Sequence, residues 1–170
     1  MRSKARCKKK RAPKESEMER IASFNVDHNV LVPGLYLSRR DGNVTTFDMR
    51  FKKPNSGDLL SNAEMHSCEH VMATLLRNSE AKDAVVYFGP MGCQTGFYFL
   101  FDHTKLSPAE AVALLQKTVA MGAVYDGPMP GKSAVECGNY KNLDTALSRK
   151  VLSGYLEVIR DWTQEGLVYP

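Results

Sequence analysis

Two of the four histidines of this 170-residue chain fall within five residues, in the segment HSCEH (66–70), with a glutamate between them. On a helix, His66 and His70 lie about 40° apart in azimuth and about 6 Å apart along the axis, so both imidazoles reach one ion and Glu69 projects from the same side. A glutamate beside a histidine pair is the arrangement in which a carboxylate moves protons next to a metal without ligating it. Catalytic zinc or iron sites usually have three protein ligands and an open position, which sends the search to a third. His28 and His103 are available. Cys137, in VECGNY, is the better thiolate candidate because Gly138 permits a tight turn directly after it. Spacing alone favours Cys137 only slightly over a buried, inert cysteine.

The elements that must position these residues are visible in the periodicity. Ser61-x-x-Glu64 is a capping-box sequence that opens a helix to about Asn78. On that helix Met65, Cys68, Met72, Leu75 and Leu76 form one apolar stripe, which makes Cys68 a core thiol. His66, Glu69, His70, Ala73 and Arg77 form a second face, where a helix that merely solvated its polar side would be expected to show a run of Lys and Glu. Ser107-Pro108-x-Glu110 opens a second helix to about Gly122, and Asp144 opens a third through Leu147, Val151, Tyr155 and Ile159 to Gly166. Strand patterns occupy IASFNV (21–26), VLVPGLYLS (30–38), VTTFDMRF (44–51), AVVYFG (84–89) and TGFYFLF (95–101). Asp41-Gly42 signals a hairpin turn, and type I′ geometry requires positive φ at both central residues. Antiparallel strands interleaved with three helices predict an α+β two-layer domain.

Composition narrows the rest. The net charge of +4 suggests nucleic acid until its distribution is followed: residues 1–17 hold eight Lys/Arg against Glu15 and Glu17, so the remainder carries a net −2. Residues 1–19 are therefore expected to be a basic, disordered extension, with Met18 as an alternative start, and residues 20–170 a single catalytic domain. No window approaches the roughly 20 apolar residues of a membrane span. The polar run APKESEMER follows the basic start in place of an apolar secretory segment, which predicts a cytoplasmic protein. Cys7, Cys68, Cys93 and Cys137 lack the spacing of a disulfide framework and are expected as free thiols or metal ligands.

Taken together, HSCEH, GPMGCQTGFY and ECGNY, preceded by SFNVDH and FDMRF, resemble S-ribosylhomocysteine lyase, the LuxS family, in one order from about Ala22 to about Gly166. The resemblance implies a two-layer α+β sandwich of the LuxS/metallohydrolase type, working as a homodimer with active sites at the subunit interface. It implies one metal per subunit, natively Fe(II), with Zn(II) or Co(II) possible in isolated protein. His66, His70 and Cys137 would be the ligands, and Glu69 and Cys93 the two acid/base groups. Ser23, His28, Arg50 and Arg77 match positions used around the substrate. The implied reaction splits the thioether of S-ribosylhomocysteine into homocysteine and 4,5-dihydroxy-2,3-pentanedione, the autoinducer-2 precursor of quorum sensing, within the activated methyl cycle and without nucleic acid or membrane partner. A free thiol has a pKa of about 8.5, so Cys93 needs a cation to be thiolate; the metal is the first candidate and Arg50 the second. One departure stands out: many members read DISPMGC where this chain has YFGPMGC, so Tyr87 and Gly89 replace an acidic residue and a serine near the substrate's amino-acid end.

Two other functions compete. An inverted-zincin peptidase also uses H-x-x-E-H, but takes a downstream carboxylate as third ligand in a much longer chain. A nucleic-acid-binding module led by residues 1–17 predicts affinity that falls steeply with salt.

Overall fold

The computed structural model describes residues 18–21 and 24–170. Residues 1–17, Ala22 and Ser23 lie outside the described residues, and with them most of the expected basic extension.

The central strands follow from strict alternation. In β2 (Val44–Arg50), Phe47 and Met49 are fully buried toward the helices, while Thr46, Asp48 and Arg50 alternate onto the opposite face. β2 pairs antiparallel with β1 (Gly34–Asp41) on one side and β4 (Gly96–Asp102) on the other, and β3 (Val85–Pro90) pairs with β4, giving the order β1-β2-β4-β3. Phe47 faces Phe99, and Met49 faces Phe97, across the β2–β4 ladder. The registry puts the core residues on one side, and burying each such side chain contributes about 1.5–3 kcal/mol.

Three helices cover that side: α1 (Asn62–Arg77), α2 (Pro108–Ala123) and α3 (Thr145–Ile159). Both expected capping boxes form, Ser61 with Glu64 and Ser107 with Glu110, and the Asp144 carboxylate accepts from the N–H groups of Ala146 and Leu147. Met65, Cys68, Met72 and Leu76 of α1 are buried in the core with Phe97, Phe99, Leu115 and Leu152. The α+β two-layer sandwich is as expected.

Several local expectations fail for identifiable reasons. IASFNV is not a strand where it is described: Ile21 and Phe24–Val26 lie outside the sheet, and Ile21 and Phe24 remain exposed. Alternation without a neighbouring ladder to complete leaves the backbone groups unpaired, so the pattern does not become a strand. β1 starts only after Pro33, at Gly34. The β1–β2 loop has Gly42 at φ +56°, but Asn43 is not at positive φ, so the turn is not type I′. The third helix stops at Ile159 rather than Gly166. Gln116 on α2 donates to the carbonyls of Ile159, Arg160 and Trp162 at 2.8, 3.0 and 2.9 Å, satisfying the helix end, and Trp162 leaves to pack edge-on against Tyr36.

Among the described residues, no helix is long and apolar enough to cross a membrane.

Candidate metal centre

The polar face of α1 carries the pair of imidazoles as the helical spacing requires: the His66 and His70 rings are 4.7 Å apart at 89°. Cys137 completes the set from a separate segment, and the ligand atoms of His66, His70 and Cys137 all lie within 4.8 Å of one another. Cys137 Sγ is 3.3 Å from His66 Nε2.

Two outer bonds fix which ring nitrogens face inward. His66 Nδ1 donates to Asn142 Oδ1 at 2.6 Å, and His70 Nδ1 donates to the Pro130 carbonyl at 2.9 Å. Each Nε2 therefore keeps its lone pair toward the cluster, the tautomer a metal ligand needs. Asn142 is itself held, its Nδ2 donating to Asn62 Oδ1 at 2.7 Å. Gly131 sits at φ +64°, and a Cβ there would come 2.9 Å from His70 Nδ1. Only glycine meets both demands, the left-handed backbone and the ring's close approach.

The Cys137 segment is anchored to α1 through the element that follows it. A 3-10 turn, Tyr140–Asn142, leads into α3, and the Asp144 N–H donates to Ser67 Oγ, a buried side chain of α1, at 2.9 Å. The Cys137 N–H closes onto the Ser133 carbonyl at 3.0 Å, and the Asn139 N–H donates to Cys137 Sγ at 3.4 Å. Two neutral imidazoles and one thiolate suit a divalent zinc- or iron-like ion with an open fourth position. The donor set and its outer bonds fit such an ion.

Glu69 is outside the ligand set. It lines a cleft of about 220 Å³ with Asn62, Met65, His66, Pro90 and Asn139. Glu69 thus borders an open cleft beside the cluster. Cys68, next to it in sequence, is fully buried, as the apolar stripe predicts, and burial pushes its thiol well up, so it is inert.

Cys93 lies in a second group, on the loop between β3 and β4. The loop is held rigidly: Leu60 N donates to the Gln94 carbonyl, and Phe51 N and Lys52 N both donate to the Thr95 carbonyl, each at 2.9 Å. Gly96, just after the loop, lies buried in β4, where a Cβ would meet the Met49 carbonyl oxygen at 2.1 Å. The cation facing Cys93 in this chain is Arg50, the second candidate on sequence. Arg50 Nη1 lies 3.8 Å from Cys93 Sγ and donates to Thr95 Oγ1 at 2.5 Å, and Thr95 Oγ1 is 3.0 Å from the sulfur. Burial alone would raise the Cys93 thiol, but the Thr95 hydroxyl and N–H and the Arg50 charge outweigh it and hold the thiol below its ordinary value. Arg50 is 3% exposed and paired with Asp48 at 2.5 Å, so it is no surface charge.

The remaining expected residues are not gathered at the cluster. His28 Nδ1 bonds the Val26 carbonyl of its own loop at 2.9 Å. Arg77, at the exposed end of α1, donates to the Val86 carbonyl of the neighbouring β3 at 2.8 Å. Asn142, Asn62 and Pro130 had no signal in the sequence, because an asparagine side chain or a carbonyl becomes a histidine's partner only through tertiary proximity.

Fold and site together define a class: an α+β domain in which two histidines of one helix and a cysteine from a separate segment form a His, His, Cys set fit for a metal, beside a glutamate that lines an open cleft. The family model described as S-Ribosylhomocysteinase (LuxS) matches residues 21–166. The chain is 44% identical over 159 residues to the S-ribosylhomocysteine lyase of Desulfotalea psychrophila, covering 90% of this chain and 99% of that protein. It is 41% identical over 157 residues to the enzyme of the same description from Finegoldia magna, again over 90% and 99%. The one from Clostridium beijerinckii is 42% identical over 159 residues, with the same coverage. The chain belongs to the S-ribosylhomocysteinase (LuxS) family and is an enzyme, a lyase of that type.

Proposed function

We propose that this enzyme cleaves the thioether of S-ribosylhomocysteine, giving homocysteine and 4,5-dihydroxy-2,3-pentanedione, the autoinducer-2 precursor. The observation that carries the reading is the convergence of His66, His70 and Cys137 beside the Glu69 carboxylate.

A thioether carbon resists direct displacement, so the sugar carbonyl must first migrate from C1 through C2 to C3, where the C5–S bond lies β to it. Each migration removes a proton α to a carbonyl and returns one at the neighbouring carbon. Abstraction of the C4 proton then expels homocysteine thiolate, which takes up a proton, and the enol left behind tautomerises to the diketone. The atoms balance without water or redox change. The metal when bound, Fe(II) in the cell and Zn(II) or Co(II) in isolated protein, supplies Lewis acidity toward the sugar oxygens. His66, His70 and Cys137 hold it, one per subunit, with Asn142 and Pro130 orienting the rings. Glu69 moves protons on the cluster side. Cys93, kept toward thiolate by Arg50 and Thr95, moves them from another direction, and Ser23, His28, Arg50 and Arg77 bind substrate.

Residues 20–170 act as a single catalytic domain in a cytoplasmic homodimer with active sites at the interface, without nucleic acid or membrane partner. Support for the dimer comes from two features. Cys93 and the metal ligands form separate groups in one chain, and the sheet face bearing Tyr36, Asp48, Arg50 and Tyr98 lies opposite the helix layer.

The test is thiol release from S-ribosylhomocysteine by anaerobically Fe(II)-loaded protein, with Glu69→Gln as control. Multiple turnovers that vanish in the variant establish the reaction; metal-replete protein that releases no homocysteine defeats it.

A further inference from the structure

The C-terminal segment is bound to the sheet edge and reaches the Cys93 group from behind. After α3, Leu167 is buried, and its carbonyl accepts the outward N–H of Leu37 on edge strand β1 at 2.8 Å. Two residues on, the ring of Tyr169 stacks on Tyr36 at 5.0 Å and 22°, and its hydroxyl donates to Asp48 Oδ2 at 3.0 Å. The same Oδ2 accepts from Arg50 Nη2 at 2.5 Å, while Asp48 Oδ1 is buried with no hydrogen-bond partner among the described residues. Both donors to this buried carboxylate therefore converge on one oxygen. From Arg50 the line continues: Nη1 donates to Thr95 Oγ1, which leaves the Thr95 hydroxyl proton for Cys93 Sγ.

We propose that Tyr169 is a positioning residue for Cys93, acting through Asp48 and Arg50. The inference rests on the proton-carrying role proposed above for Cys93. Its physical basis is competition for the Asp48 charge. With the Tyr169 hydroxyl in place, the carboxylate spends part of its charge on a neutral donor, and Arg50 keeps more of its field for the sulfur. Without it, Arg50 is the only donor left on Asp48, the pair tightens, and less positive potential reaches Cys93. Burial first, and the Asp48 carboxylate second, push the Tyr169 phenol far above its ordinary value, so it stays a donor through the whole working pH range. Arg50 and Thr95 bear directly on the Cys93 thiol, and Tyr98, opposite Asp48 on β4, is the neighbouring phenol, itself raised by burial and by Asp48.

The test is the pH dependence of iodoacetamide alkylation at Cys93, followed by peptide mass spectrometry in Zn(II)-loaded full-length protein. Tyr169→Phe keeps the ring stacked and removes only the hydroxyl. Its midpoint is expected to rise by about 0.5–1 pH unit, with alkylation at neutral pH about 3- to 10-fold slower and an unchanged rate at high pH. Tyr36→Phe removes a neighbouring hydroxyl that donates instead to the Val32 carbonyl, and is expected to leave the midpoint in place. A folded Tyr169→Phe protein whose profile superimposes on the wild type overturns the inference, and so does an equal shift in both variants. A shift confined to Tyr169→Phe upholds it even if the wild type releases no homocysteine, a result that would instead sink the proposed lyase reaction.

Discussion

Asn142 is the sharpest point at which to perturb the metal centre. Its Oδ1 accepts the His66 Nδ1–H at 2.6 Å, and its Nδ2 is spent on Asn62, so the amide has one orientation and one job toward the ring. Asn142→Ala removes the acceptor and frees His66 to rotate, which turns Nε2 away from Cys137 Sγ, or to change tautomer, which puts the ring proton on Nε2; either takes the Nε2 lone pair from the cluster. Loss of such an outer partner typically lowers metal affinity 10- to 100-fold, about 1.4–2.7 kcal/mol. Asn142→Asp keeps an acceptor, now charged, and is expected to bind within about threefold of wild type or more tightly. Asn62→Ala leaves the His66 bond and removes only the support behind it, so a loss under about threefold is expected. Competition for Zn(II) against a chromophoric chelator ranks the three. Wild-type affinity in folded Asn142→Ala would refute the claim that this bond sets the ligand.

Other expectations follow from single features. Cys137→Ala should lose metal retention altogether, checked by metal analysis after dialysis; an inverted-zincin arrangement with a carboxylate ligand would keep it. Gly96→Ala forces a Cβ into the Met49 carbonyl, a backbone atom in the β2–β4 ladder, and should cost about 3 kcal/mol in urea unfolding, whereas Gly89→Ala meets only the tip of the half-exposed Tyr87 ring and should cost under about 1 kcal/mol. The Glu64 carboxylate is held below its usual range, first by the Ser61 backbone N–H, so its contribution to stability is present above the unfolded carboxylate value and fades as pH falls through the lower folded one. Ser61→Ala should cost about 1 kcal/mol near neutrality and weaken that acid limb, read from urea midpoints against pH.

How far the sequence reaches depends on the range of the interaction involved. Helix α1 was legible in full because its signals are local: Ser61 and Glu64 are three residues apart, and the 100° step that buries Met65, Cys68, Met72 and Leu76 also pairs His66 with His70. The strands from Gly34 onward were legible because alternation is local too, and the same alternation in 21–26 misled because a strand also needs a neighbour. The end of α3 was missed since Gln116, on another helix, takes up its terminal carbonyls. Cys137 is the intermediate case, slightly favoured by its turn-permitting glycine and fixed only when Asp144 docks on Ser67. The alternation of β2 does not say whether Arg50 is exposed; its burial beside Asp48, and its place behind Cys93, depend on which side of the sheet the helices cover and on where the last residues of the chain return. By itself, the sequence determined the local periodicities, the caps and the kinds of side chain available for chemistry. Only the tertiary structure decided which nitrogen each histidine offers, which cation faces Cys93 and what holds that cation, since those choices are made by groups tens of residues apart that meet only once the chain has folded.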